Sequence, residues 1–264
     1  MKKNLYYRTV FKRTNAVKEA FLGLFLALSS YPRLLLEVFI RRNFGERYFS
    51  FSGAVFLSVL LGLYPILLYS SLGMFRSYSY GSYTNDFSFS NFLLHYATWY
   101  VFLAGFIIMA IRRRDEIKHL PSVFDFARFS LSSGHLHPHL LAVKIRGNKV
   151  SIRTIETVLE PGFFFLVGSL LWMFGQGVGH LLVVCSVIYS YSYQAAYYQG
   201  DNFVMDKIDE MICNEEMVKA FVEGRDPSET RGFNFYGRRP SDPETRRRVA
   251  DTFIETDEDV AIAL

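Results

Sequence analysis

Three of the chain's six histidines fall in one stretch, "LSSGHLHPHLL" (Leu131 to Leu141), as His135, His137 and His139. On a strand, residues two apart share a face, so the three imidazoles would converge and could ligate zinc or copper. Pro138 works against a helical arrangement and against an interior strand. His119, Asp125 and Glu156 would supply further ligands. No HExxH, CxxC or comparable spaced metal motif accompanies them. Histidines in a loop at a membrane face also suit contact with lipid phosphate or backbone carbonyls. The metal site is thus one reading of His135, His137 and His139, and a plain structural loop is the other.

A second group is Glu156 and Glu160 in "IETVLEPG". Four residues apart, they share a helix face. Paired carboxylates there suggest a cation contact, a salt bridge with Arg153, or docking of a partner chain. Acid–base catalysis would need a nucleophile nearby, and the sequence offers none. A third group is "GFNFYGRRP" (Gly232 to Pro240) with Arg246, Arg247 and Arg248, where aromatics alternate with arginine. Such patches bind nucleic acid or anionic lipid. The net charge of +4 adds little, because membrane orientation already accounts for most of the arginines. Nucleic acid is therefore not an expected partner. With no phosphate-cradling glycine loop and no nucleophile triad in local context, neither an enzyme nor a cofactor is expected.

The elements that would position these groups read as membrane helices. Of 264 residues, 50% are hydrophobic and 17% aromatic, which is too apolar for an ordinary soluble domain. No Asp, Glu, Lys or Arg occurs from Tyr48 to Phe75, from Phe87 to Ile111, or from Pro161 to Gly200. A spanning helix needs roughly 20 apolar residues. The first two windows each fit one span, and the third fits two, broken at Gly175, Gly177 and Gly179. Spans are expected at 51–74, 90–111, 156–174 and 181–198, with a re-entrant hairpin over 161–200 as the alternative. The expected fold is an all-α integral membrane protein of two transmembrane helical hairpins. N-terminal interfacial helices and a small cytoplasmic C-terminal helical region complete it.

Basic residues set the orientation. Lys or Arg occupies positions 2, 3, 8, 12, 13, 18, 33, 41, 42 and 47 before the first span, whereas the loop after it carries Arg76 alone. Both termini and the central segment are expected in the cytoplasm of a bacterial inner or plasma membrane. The regions are then 1–47 (interfacial helices), 48–111 (first hairpin), 112–155 (cytoplasmic connection), 156–200 (second hairpin) and 201–264 (cytoplasmic tail). Arg41, Arg42, Arg112, Arg113 and Arg114 are expected at the lipid headgroups.

Smaller signals fill in the rest. Residues 17–42 form two apolar segments split at Tyr31-Pro32, either lying in the interface or packed on the spans. Their basic flanks and lack of a cleavage site argue against a signal peptide. Gly45 permits the turn into the first span. His95, near the outer end of the second, sits at interfacial depth. Alternating residues around Gly147-Asn148 predict a hairpin, and Ser151 can start a helix into the third span. In 204–222 a periodic apolar face ends in Phe221 and Val222, a docking surface for a partner. Gly224 can cap that helix. Asp242-Pro243 starts another that ends near Thr256, followed by the tail "TDEDVAIAL". Cys185 and Cys213 support no disulfide framework.

The function these features favour is that of a non-enzymatic subunit of a larger membrane assembly, of the secretion or conjugation kind. Its partners would be membrane lipid and other membrane proteins or copies of itself. A homo-oligomeric pore and a metal-dependent enzyme at the cytoplasmic face are the alternatives.

Overall fold

The computed structural model describes residues 3–11, 16–79, 96–145 and 147–255. The protein is all-α, with four strands of two residues each among the described residues. Its helices are α1 (Ala16–Leu28), α2 (Ser30–Ile40), α3 (Phe51–Ser79), α4 (Ala97–His119), α5 (Ile152–Met173), α6 (Gly177–Met217) and α7 (Pro243–Asp251). Wide helical turns occur within α5 at Ile155–Leu159 and just after α6 at Val218–Glu223. The chain forms two compact units, Leu22–Ala195 and Met1–Phe21 with Ala196–Leu264.

In the larger unit, α2 packs on α3 and α4. Its buried residues are Leu35, Leu36, Glu37 and Val38, so the helix is enclosed on most sides at that turn. The break between α1 and α2 lies at Ser29, where the pair bends by 52°. Pro32 sits within the first turn of α2, where a missing N–H costs nothing. That is why the chain does not break at the expected Tyr31-Pro32. α3 and α4 are held by the Trp99 indole, which donates to the Leu61 carbonyl at 2.9 Å and stacks on Tyr64. α3 runs on through 76–79, and the remainder of the loop expected after the first span, 80–91, lies with His95 outside the described residues.

α5 and α6 form a helical hairpin whose turn is at Gly175, with φ of 72°, a left-handed conformation that favours glycine. Below the turn the two backbones nearly touch. A Cβ on Gly179 would stand 2.3 Å from the Trp172 amide nitrogen, and one on Gly168 would stand 2.9 Å from the Leu182 Cβ. The Ser190 hydroxyl donates to the Thr157 carbonyl at 2.6 Å, and Ser186 donates to the Pro161 carbonyl. Such small-residue contact is how helices approach closely in lipid.

The connection between α4 and α5 holds the expected hairpin, shifted by one residue. Lys144–Ile145 pairs antiparallel with Asn148–Lys149, so Asn148 is in the strand and Gly147 (φ of 84°) is in the turn. Ser151 caps α5 by accepting from the Thr154 amide at 3.2 Å. Gly45 opens the turn over 46–48, its carbonyl accepting from the Tyr48 amide at 3.2 Å. A Cβ there would lie 2.2 Å from the Ser130 carbonyl oxygen, so it is close approach that requires glycine. The left-handed residue nearby is Asn43, with φ of 57°.

The smaller unit joins the two ends of the chain. Lys3–Asn4 pairs antiparallel with Ile254–Glu255. The Asn4 amide donates to Glu210 at 3.0 Å, and its side chain donates to Asn214 at 2.6 Å. Tyr6 and Tyr7 enter a core with Cys213, Met217, Phe221 and Phe233. Burial here pushes the Cys213 thiol up to about 12. Gly224, with φ of 78°, closes the turn after α6. Asp242 caps α7, accepting from the Thr245 amide at 2.9 Å, with Pro243 in the first turn. α7 ends at Asp251 rather than near Thr256.

Among the described residues, α5 is the helix long and apolar enough to cross a membrane by itself. α1 and α2 meet that measure as a bent pair, and the apolar stretch Phe51–Leu67 of α3 is shorter.

The α5–α6 contact yields a paired prediction. Gly179→Ala forces backbone apart and should cost about 1–3 kcal/mol. Gly162→Ala, on the same hairpin but facing open space, should leave stability within about 0.5 kcal/mol. Thermal unfolding of both variants in detergent checks the difference.

Candidate functional site

A buried polar network lies inside the larger unit, where α2 meets the α5–α6 hairpin. Its centre is Arg41, just past the end of α2, with no exposed surface. The sequence "RLLLEVFIR" (Arg33 to Arg41) places Arg33, Glu37 and Arg41 four residues apart, hence on one helical face. Leu35, Leu36 and Val38 bury the neighbouring surface, which carries the charged face inward.

Arg41 spreads its guanidinium over partners from separate segments. Its Nε donates to Glu160 Oε2 at 3.1 Å, and Nη2 donates to the same oxygen. Nη1 donates to the Tyr193 hydroxyl at 2.7 Å and to Ser133 Oγ at 3.0 Å, and pairs with Glu156 Oε1 at 3.1 Å. Glu160 also accepts from the Tyr189 hydroxyl at 2.5 Å. Glu37, equally buried, accepts from Tyr193 at 2.8 Å, from Tyr48 at 2.6 Å and from Arg33 Nε at 3.2 Å. The Arg33 guanidinium also lies over the Tyr193 ring, 3.9 Å from its centroid.

Burial by itself would lower the Arg41 pKa. Tyr189, Glu37, Tyr193 and the bond to Glu160 outweigh it, holding the guanidinium above its ordinary value. The cluster contains two arginines and three glutamates, for a formal charge of −1. Arg41, Glu37 and Glu160 each have several partners, which is the condition under which buried ions are tolerated. The arrangement contains no serine, cysteine or lysine poised as a nucleophile beside a base. Its chemistry is that of an internal clamp joining α2, the Ser133 loop, α5 and α6.

The structure relocates several expected site residues. Arg41 was placed at the lipid headgroups and is instead enclosed, because Glu160 and Glu156 neutralise it inside the fold. Arg113 is also buried, donating from Nε to the Val38 carbonyl at 3.1 Å. Arg42, Arg112 and Arg114 are exposed, and Arg114 stands over the Phe51 ring at 4.6 Å. Glu160 has no exposed surface and Glu156 little. They serve the clamp rather than presenting a surface to a partner. Phe221 and Val222 are buried in the core of the smaller unit, so the apolar face they end is used within the chain. Phe233 joins that core and Phe235 packs against it, which turns two of the three aromatics of "GFNFYGRRP" inward, while Tyr236 stays exposed.

His135, His137 and His139 do not lie along a strand. His135 bridges Arg42 through backbone bonds, and its Nδ1 lies 3.2 Å from Asn43 Nδ2. Pro138 opens a single helical turn, Pro138–Leu141, capped by His137. The His137 and His139 rings stack at 5.0 Å. Among the described residues, no group of three or more His, Cys, Asp or Glu is placed to hold a metal ion. The period-two reading failed because the proline starts a turn at that point.

A groove of about 370 Å³ runs between α5 and α6, lined by Thr157, Pro161, Phe165, Ser186, Ser190 and Gln194 among others. Its serine hydroxyls donate to backbone carbonyls, and no carboxylate, histidine or cysteine lines it. Compared with protein families, curated proteins and solved structures, the chain matches none.

Two substitutions test the clamp. Arg41→Lys keeps the charge but cannot reach Glu160, Ser133 and Tyr193 together. Tyr193→Phe removes the hydroxyl between Arg41 and Glu37. Each should cost about 1–3 kcal/mol, measured by unfolding in detergent.

Proposed function

We propose that the chain is a polytopic membrane protein with spans at 51–74, 90–111, 156–174 and 181–198. In this reading both termini and the 112–155 connection are cytoplasmic. The protein acts as a non-catalytic subunit of a larger membrane assembly.

One observation carries the reading. The helices of the larger unit expose large apolar side chains along their outer faces. Val55, Phe56, Val59 and Leu67 do so on α3, Val101 and Ile108 on α4, Leu166, Leu170 and Met173 on α5, and Val184 on α6. Patches this extensive mark contact with lipid or protein. No ionisable side chain occurs in 51–67, 97–111 or 161–195 other than tyrosine, His180 and Cys185. The charged groups sit at the helix ends that the positive-inside rule assigns to the cytoplasm. They include the clamp and the exposed Arg112, Arg114 and Lys118.

The subunit reading is supported by what the polar groups do. The clamp joins elements and leaves no reactive group, and the groove offers no acid or base. The spans are therefore scaffold and surface. Affinity purification in mild detergent, with the mass and composition of the particle determined, tests this. The expected result is a fixed ratio of this chain to other membrane proteins. A closed ring of this chain alone would replace the subunit reading with a pore. A chain released by salt or carbonate without detergent would end the membrane reading.

A further inference from the structure

Between α4 and the histidine stretch the chain shows three phenylalanines outward within six residues. Phe124, Phe126 and Phe129 are 90%, 100% and 69% exposed. The loop that carries them is tied in place. Ser122 Oγ accepts from the Phe124 amide at 3.2 Å, and the Phe126 amide donates to the Val123 carbonyl at 3.1 Å. Phe126 itself is left-handed, with φ of 56°, a conformation uncommon for a bulky side chain. Arg128 reaches back to the Phe44 carbonyl at 3.2 Å and to Glu46 at 2.7 Å. The Gly45 and Arg47 amides donate to the Ser132 and Ser130 carbonyls at 2.9 and 3.0 Å. The backbone on both sides of the rings is fixed while the rings themselves have left the core.

These ties also fix the level of the loop. It leaves from the end of α4 and returns beside Gly45–Arg47, four residues before α3 begins at Phe51. That is where the exposed apolar faces of α3 and α4 give way to the exposed cations Arg47, Arg112, Arg114 and Lys118. Rings flanked by cations suit the boundary between acyl chains and anionic headgroups. Asp125, exposed between two of the rings, opposes deeper entry.

We propose that Phe124, Phe126 and Phe129 form a lipid anchor that enters the headgroup boundary of the cytoplasmic leaflet. The surrounding Arg and Lys side chains meet anionic headgroups. The proposal rests on the four-span reading. The anchor holds the α4–α5 connection, and with it the Ser133 arm of the clamp, against the bilayer.

The test uses the full chain, with Cys185→Ala and Cys213→Ala, in vesicles of phosphatidylcholine and phosphatidylglycerol. A nitroxide is attached at Phe126→Cys. Leu166→Cys on α5 is the lipid reference and Glu215→Cys the aqueous one. Collision with oxygen is compared with collision with a water-soluble nickel chelate. The expected oxygen-to-nickel ratio at 126 is several-fold above that at 215. A ratio at 126 equal to that at 215, with a high ratio at 166, overturns the anchor and leaves the spans standing. A low ratio at 166 overturns the spans and the anchor with them. A label at 126 that is immobile and shielded from both reagents overturns the anchor in favour of a protein contact.

Discussion

A guanidinium with no exposed surface must find all its partners inside the fold, and Arg41 takes them from the Ser133 loop, from α5 and from α6. Removing a charge from water costs several kcal/mol, an expense recovered only when every donor is satisfied. This makes the position of α2 conditional on the α5–α6 hairpin. Glu160 presents its carboxylate from the first turns of α5, and Tyr189 and Tyr193 deliver hydroxyls from successive turns of α6. The hairpin is set in turn by contacts that allow no side chain at Gly179. Polar order at one end and close backbone packing at the other thus hold the same two helices.

The same constraint separates the inside of the larger unit from its outside. Its Asp, Glu, Lys and Arg side chains are either drawn into the clamp or gathered at helix ends and in the connections. The outer faces of α3, α4, α5 and α6 are left with Val, Leu, Ile and Phe. A clamp of this kind contributes little net stability compared with a well-packed apolar core. It does impose one arrangement, since Arg41 is matched by Glu160 and Glu156 together only when α2 lies in this register. Under the membrane reading proposed above, helices gain little from hydrophobic burial against each other, so a directional polar contact is a physically sensible way to fix their register.

Much of this was legible in local sequence. The turn at Gly175, the cap at Gly224, the Asp242-Pro243 start and the hairpin near Gly147 each depend on residues within a few positions of one another. The clamp was missed, although the four-residue spacing of Arg33, Glu37 and Arg41 inside an apolar run was a signal that could have pointed to it. Their partners were not legible. Glu160 lies 119 residues from Arg41 and Tyr193 lies 152 away, and no local pattern encodes such a pairing. Arginine near a membrane boundary reads as a headgroup contact unless its carboxylate is known. Likewise the face ending in Phe221 and Val222 read as free because its cover includes Tyr6 and Tyr7 from the opposite end of the chain. The histidines misled for a local reason, a proline that starts a turn where alternation was assumed.

The most direct test of the account is a double-mutant cycle on Arg41→Met and Glu160→Gln, read as unfolding free energy of the full chain in detergent. If the two groups hold the fold through each other, each single change leaves a buried charge unpaired and costs about 3–5 kcal/mol. The double variant should then lose far less than the sum, giving a coupling of at least about 2 kcal/mol. Additive losses with no coupling would contradict the account and make Arg41 a residue buried by its neighbours rather than one that positions them.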